Sequence, residues 1–429
     1  MIDRERRTAR SPRPGVSPSL GAHGHRPPDR PAVGPADWYR PPRPHGEVLE
    51  GRTVSFLELF YDLVFVVFVA QVAHALAAHP DGVGVRSFVV VFTLVWYAWL
   101  NGTLYHDLHG SDDGRSRSYM FVQMSLVALV SVYAGHAADD LDDGRTFAAL
   151  LAFLIAWLGY QWWVVRRQDD PEMAATTTPY FVGLAAIFAA MVASIAVADT
   201  QVRLLLWGVG AAAAIVVPLV GLSFRRAQIE GAFRISASMA ERFGLFTIIV
   251  LGEVMVGVVG GLSEASHSLA TTTVGLLCLG IGFGIWWNYF DFVGLRPPRP
   301  GLAIRAMWLV LHLPLSMSVA ATGAGMVSLI EHAQETHTPV GPAWLVGGSV
   351  ALLCCCLSAL MRLLPERRGA RLVPVSLLGA AVVALAAAAW APSPWLLALV
   401  LVAALTAVWV ESFVRHARLG DPFLESLPE

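Results

Sequence analysis

Residues Val54 to Leu76 read VSFLELFYDLVFVVFVAQVAHAL. As a helix rising 1.5 Å per residue, this stretch spans about 34 Å, enough to cross a hydrocarbon core roughly 30 Å thick. Yet Glu58, Asp62, Gln71 and His74 interrupt its aliphatic and aromatic run. A carboxylate near the bilayer centre costs roughly 2.5–3.5 kcal/mol on insertion scales, so such groups sit against protein, water or a partner. Glu58 and Asp62 are four apart and share a helical face. Gln71 and His74 form a second pair, rotated well away from the first. A helix polar on two faces has little left to show lipid, which predicts a central helix of a bundle.

The composition extends this to the whole chain. It is 55% hydrophobic and only 14% charged, against about 25% charged in soluble domains. Apolar runs of about 18–26 residues recur from Val54 onward. They cover 54–77, 85–106, 118–137, 146–166, 178–198 and 203–224, then 242–261, 270–291, 304–330, 341–362, 373–390 and 394–414. Arginine placement tests the count, because short loops rich in Arg or Lys stay in the cytoplasm. The basic complement is all arginine, and 27 of the 30 arginines fall on one side of this scheme. Only Arg86, Arg145 and Arg203 fall on the other side, where loops such as ADDLDDGR (Ala138 to Arg145) are acidic. The expected fold is therefore all-α, a polytopic inner-membrane protein of about twelve transmembrane helices with both termini cytoplasmic. Residues 1–53, rich in Pro and Arg, lack a signal-peptide core and read as a disordered tail. His23, His25 and His45 give the tail a weak metal cue. Residues 54–224 and 225–429 are then two six-helix units. Cys278 and Cys354 to Cys356 lie inside apolar runs and read as packing residues; consecutive helical cysteines point about 100° apart and cannot converge on one metal.

The two units look alike. The first span begins ELFYDLVFVVFVAQ (Glu58 to Gln71) and the seventh ERFGLFTIIVLGE (Glu241 to Glu253); each starts Glu-x-Phe and carries a second polar group about twelve or thirteen residues on. The second span ends WYAWLNGTLYHD (Trp96 to Asp107) and the eighth WWNYFD (Trp286 to Asp291), both running from tryptophans through asparagine to aspartate. Six helices per unit is even, so the expected relation is a parallel repeat about an axis along the membrane normal.

FLELFYDLVFVVFVAQVAHAL (Phe56 to Leu76), FVQM (Phe121 to Met124) and ERFGLFTIIVLGE (Glu241 to Glu253) resemble the bacterial low temperature requirement A family of multi-pass membrane proteins. The likeness covers roughly Val54 to Arg418. It implies a polytopic protein linked by name to growth in the cold and brings no substrate or reaction. Phe60-Tyr61-Asp62 is also similar to the Phe-x-Asp signature of the two-times-six-helix potassium channels. Those repeat the aspartate in the second half, where this chain has Leu245, and their basic residue ahead of the motif is matched only by Arg52, too far upstream.

On physical grounds Glu58, Asp62 and Glu253 lead the candidates for a proton or cation site, with His74 and Gln71 beside them. Glu253, twelve residues into its span, falls near the midplane, where burial suits a neutral acid or proton carrier. The competing reading is that these acids pair with Arg242, His74, His312 or backbone and lock helices together. Trp99, Asn101, Asp107, Trp287, Asn288, Asp291 and His312 are candidates for a cavity or for helix ends, with belt and packing roles as the alternative for the tryptophans. His106, Asp107, His109, Asp112 and Asp113 cluster at the end of span two, and an interfacial polar loop explains them more cheaply than a metal. Gly257-x-x-x-Gly261 and Gly280-x-x-x-Gly284 let helices approach closely, and Pro218 and Pro314 kink spans six and nine. No motif of hydrolysis, zinc or phosphate cradling occurs, so no enzyme activity and no cofactor is expected. Nucleic acid has no support beyond the arginine tail. The expected partners are the lipid bilayer and a proton, cation or small solute; the oligomeric state stays open. Three functions follow: a permease or proton-linked transporter with Asp62 and Glu253 between the halves, a cation channel with spans one and seven at the pore, or a non-transporting stress or scaffold protein.

Overall fold

The computed structural model describes residues 39–44, 52–111, 113–169, 171, 177–224, 235–365 and 372–419. His23, His25, His45 and Asp112 lie outside the described residues, as do Arg225, Arg226, Arg234, Arg367, Arg368 and Arg371. Twelve long helices fill the described chain: α1 Phe56–Ala78, α2 Gly82–His109, α3 Gly114–Ala134, α4 Leu141–Gln168, α5 Thr178–Ile195 and α6 Thr200–Phe224, then α7 Ala237–Glu264, α8 Leu269–Phe292, α9 Leu302–Glu331, α10 Val340–Leu363, α11 Val373–Trp390 and α12 Pro394–Leu419. Each is long and apolar enough to cross a membrane, and the twelve coincide with the twelve runs read from the sequence. Short connections reverse the chain at each step, so the start of α1 and the end of α12 share one face. We call it the tail face and its opposite the far face.

Local chemistry sets where the helices begin. Ser55 caps α1 in a reciprocal box: its hydroxyl accepts the Glu58 N–H at 3.3 Å, and the Glu58 carboxylate accepts the Ser55 N–H at 2.9 Å. Asp81, Asp113 and Asp140 cap α2, α3 and α4 by accepting first-turn amides, and Ser236 and Ser268 do the same for α7 and α8. These side chains satisfy amides that a helix leaves without partners.

The bundle is built around α9, not α1. Helix α9 is buried along nearly all its length and packs against α7, α10, α1, α8, α2 and α6. Its middle, SVAATGAG (Ser318 to Gly325), is made of small residues that let backbones meet. A Cβ on Gly325 would lie 2.8 Å from the Val346 amide nitrogen of α10, so only glycine fits there. Helix α1 instead lies at the periphery. Phe56, Phe60, Leu63 and Val67 form an outward stripe that Gln71 and His74 continue, both exposed. The second polar pair of α1 therefore lies on its outer surface, with His74 at the edge toward α7, which corrects the central placement expected from its polarity.

Within the first half, α1 packs on α2 and α3, α2 on α4 and α6, α3 on α4, α4 on α5 and α5 on α6. Within the second, α7 packs on α8 and α9, α8 on α9, α10 and α12, α9 on α10, α10 on α11 and α12, and α11 on α12, so the second half repeats the pairings of the first and adds α8 with α9 and α10 with α12. The glycine motifs serve different neighbours: Gly257 and Gly261 face Val327 and Ile330 of α9, whereas Gly280 and Gly284 face Val402 and Leu405 of α12. Not every sequence parallel carries over. Phe60 points outward at 55% exposure while Phe243 is buried at 1%, so the two Glu-x-Phe openings present different faces. Cys278, Cys354 and Cys356 are buried, and Cys355 faces outward.

Candidate functional site

Two separate polar centres occupy the bundle, where the sequence suggested one. The first lies near the tail face, where α1, α2 and α7 meet. Arg242 enters one turn inside α7 and Asp62 sits two turns inside α1; both are fully buried. The Arg242 Nη2 donates to Asp62 Oδ1 at 2.6 Å, and the Trp99 indole N–H of α2 donates to the same oxygen at 2.8 Å. Glu58 Oε1 lies 3.7 Å from Arg242 Nη1 and accepts from Arg52 Nη2 at 2.5 Å. Arg52 reaches across with Nη1 to Asp107 Oδ1 at 2.7 Å, and the Ser236 and Ser238 hydroxyls ahead of and inside α7 also donate to Asp107. Aromatic rings seal the cluster: Trp99 stacks on Phe246 with centroids 4.2 Å apart, and the Arg242 guanidinium lies over Tyr61.

Three carboxylates and two guanidiniums thus alternate through one network. In a dry setting such pairs hold elements together, since removing one partner strands a buried charge at about 3–5 kcal/mol. Asp62 is bonded on both sides, by Arg242 and Trp99, so the arrangement acts as a lock. The Phe60-Tyr61-Asp62 triplet is split between surface and lock, with Phe60 outside the bundle and Asp62 capped by Arg242 and Trp99. Glu58, 2% exposed, belongs to the same lock.

The second centre is a crevice of about 60 Å³ between α1, α7 and α9, floored by Gly323 and Ala324 and walled by Ala70, Ala73, His74, Glu253 and Gly257. Small side chains on all three helices leave the space, enough for a few waters. Glu253 and His74 line it together. Among the described residues none bonds or ion-pairs with the Glu253 carboxylate. Arg242 and Glu253 are eleven residues apart on α7, about 16 Å along its axis. Asp62 is not among the residues that line the Glu253 crevice.

A larger cavity of about 540 Å³ opens between the start of α2, α9 and α10, toward the far face; Asp81, Ser318, Trp344 and Gly348 are among its lining. The bundle is thus open between α2, α9 and α10 toward the far face, and α1, α2 and α7 are tied together at the tail face.

The remaining candidates disperse. Asp107 joins the lock. Asn101 is buried, its amide nitrogen bonded to Tyr97 O at 2.9 Å; Asn288 matches it, bonding Gly284 O at 2.8 Å and Leu405 O at 3.1 Å. Trp287 packs on Trp409, whose indole donates to Asp291 at 2.7 Å. His312 is buried between Trp308 O, 2.7 Å from Nδ1, and the Tyr289 hydroxyl, 3.5 Å from Nε2, a satisfied packing histidine. Among the described residues no group of three metal-ligating side chains converges. Sequence reading passed over Arg52, Ser236 and Ser238. The available signal was that Asp62 and Arg242 carry opposite charge at similar depth in two helices that open alike.

The comparisons bear on the whole chain. A family model described as "Bacterial low temperature requirement A protein" matches residues 53–410. An uncharacterized protein of Rhizobium meliloti (strain 1021) is 25% identical over 328 residues, covering 70% of this chain and 75% of that protein. No solved structure matches.

Proposed function

Because the chain belongs to the bacterial low temperature requirement A family, with twelve helices fit to cross a membrane, we propose that it is a proton-linked permease for a cation or small solute. Glu253 is the loading group, His74 its neighbour in the crevice, and the lock around Asp62 and Arg242 the tail-face gate. The observation that carries this reading is the Glu253 carboxylate: it lies mid-helix, lines a water-sized crevice between the halves, and has no partner among the described residues. A permease needs such a group, free to take and release a proton. An acid held only for packing would be bonded, as Asp62 is.

The matching helix pairings of the two halves support a pair of parallel six-helix repeats. The distribution of arginine supports an inner-membrane location with the tail face, and so both termini, in the cytoplasm. On this reading no covalent bond changes in the solute, no cofactor takes part, and the partners are the bilayer and the transported species.

The test is proton flux in proteoliposomes carrying a trapped pH-sensitive dye, driven by a potassium diffusion potential. Protein-dependent flux is expected, falling at least about tenfold in Glu253→Gln while the thermal midpoint is kept. Equal flux in Glu253→Gln overturns the assignment. If protein and variant are both silent, the lock favours a non-transporting scaffold instead.

A further inference from the structure

One pocket belongs to neither polar centre. It lies in the tail-face half between α2, α5, α6 and α9, with a volume of about 70 Å³. Its wall is apolar, with Leu100, Leu309 and Leu313 prominent, and no charged side chain lines it. Three lining residues nevertheless carry buried polar atoms with no hydrogen-bond partner within 3.5 Å among the described residues: Trp96 Nε1, the Tyr97 hydroxyl and Asn101 Oδ1, the last two side chains lying near each other. Such groups cost roughly 1–3 kcal/mol each when left unmade. A backbone acceptor lies close to the Tyr97 hydroxyl, both being near Gly183 of α5. Pro218 has no N–H to give the Ala214 carbonyl one turn back, and Ala214 also lines the pocket.

The second half supplies an internal control. In the register that sets Asn101 opposite Asn288, Tyr97 stands where the second half has Gly284. Gly284 lets α12 close in, with Leu405 only 3.1 Å from where its Cβ would be, and Asn288 bonds the Leu405 carbonyl. In the first half the Tyr97 hydroxyl reaches Gly183 of α5 instead, and the pocket occupies the space before α6. The same asparagine thus meets a helix backbone in one half and an empty, mostly apolar space in the other.

The polar atoms set the ligand's chemistry. An indole N–H only donates, an amide oxygen only accepts, and a phenol does either. A head that both accepts and donates at one atom satisfies them, and a hydroxyl is the simplest such head. The absence of charge in the wall rules against an ionic head. Ile215 and Leu219 of α6 and Val310 of α9 are half-buried apolar members of this lining, so its outward side is suited to hydrocarbon rather than water. We infer that this pocket binds an uncharged long-chain alcohol drawn from the membrane, its hydroxyl accepting from Trp96 Nε1–H and donating to Asn101 Oδ1. The site is independent of the Glu253 crevice.

The probe is a diazirine-bearing hexadecanol, photolysed with the purified full-length chain in nanodiscs and mapped by peptide mass spectrometry. Labels are expected to concentrate on α2, α5, α6 and α9, to be competed by 1-hexadecanol and to resist hexadecane. Asn101→Leu, which removes the acceptor at similar volume, is expected to weaken that competition roughly tenfold. Ile215→Trp obstructs this outward side, leaves the polar atoms in place and is expected to abolish labelling, so the site remains testable if Asn101→Leu does not fold. Labels spread over all outward helices, equal competition by hexadecane, or unchanged labelling in Ile215→Trp would each overturn the assignment.

Discussion

Asp62 and Arg242 show how far a buried charge can be read from sequence. That each is expensive in a membrane follows from its position alone. That they meet does not, because the contact requires α1 and α7 to be neighbours across 180 positions of chain. The pair makes a sharp prediction. Asp62→Leu and Arg242→Met each remove one charge of the buried pair and leave the other without its closest partner, so each should lower stability by up to about 3–5 kcal/mol. The double variant Asp62→Leu with Arg242→Met removes both charges and should be less destabilised than the sum of the single changes. Thermal unfolding in detergent measures all of these, and strict additivity would show that the two groups do not interact. Glu253 makes the contrast: it has no partner among the described residues to lose, so Glu253→Gln should leave the thermal midpoint nearly unchanged while abolishing proton flux. Its depth was legible from its place in the seventh run. Its solitude was not, since the small residues that hold partners away come from α1 and α9.

Among the helices, existence and order were legible because length and apolarity decide them. Centrality was not. Polar residues on two faces of α1 suggested a helix shielded all round, yet Gln71 and His74 lie on its outer stripe. The better signal was the run of small residues in α9, which marks close helix contact in a medium where burying apolar surface gives little. Gly325→Ala tests this: its methyl would meet the Val346 amide nitrogen of α10, and overpacking of this kind costs about 1–3 kcal/mol. Gly348→Ala on α10, where a Cβ meets open space, is the control and should be near neutral in the same melt. The tail also holds an ordered element that its composition concealed. Residues 39–44 lie across the ends of α2, α3 and α4. The Arg43 guanidinium donates to the Gly110 and Asp107 carbonyls at 2.7 and 2.8 Å, and Asp113 accepts the Arg40 N–H. A cation on the last carbonyls of a helix complements its dipole. Burial raises the Asp113 carboxyl pKa, but the Ser116 N–H and hydroxyl, Arg115 and the Arg40 N–H outweigh it and hold the group below its ordinary value. Arg43→Ala should free this strap and raise tryptic cleavage after Arg52 several-fold; unchanged cleavage would mean that the strap holds without it.

At the scale of the molecule, the polar groups and cavities are distributed unevenly along the membrane normal. Arg52, Glu58, Asp107 and Arg242 tie α1, α2 and α7 together at the tail face, while a cavity of about 540 Å³ opens between α2 and α10 at the far face. Alternating access calls for such a pairing of one closed end with one open end, and its converse must be reachable. If the lock holds this state, weakening it shifts the population toward the converse. Arg52 is the member to change, because it is the least buried and bridges two carboxylates without lying in the sealed Asp62 pair. A Gly348→Cys reporter in the far-face cavity, in a Cys355→Ser background, has open space for the thiol, and the other cysteines are buried. A membrane-impermeant maleimide should label it from the far side. Adding Arg52→Gln should slow that labelling several-fold as the far-face cavity closes in a larger share of molecules. If the rate is unchanged although Arg52→Gln has loosened the tail face, as faster exchange of first-turn α1 amides would show, the two ends are uncoupled. The lock would then be a fastener and not a gate.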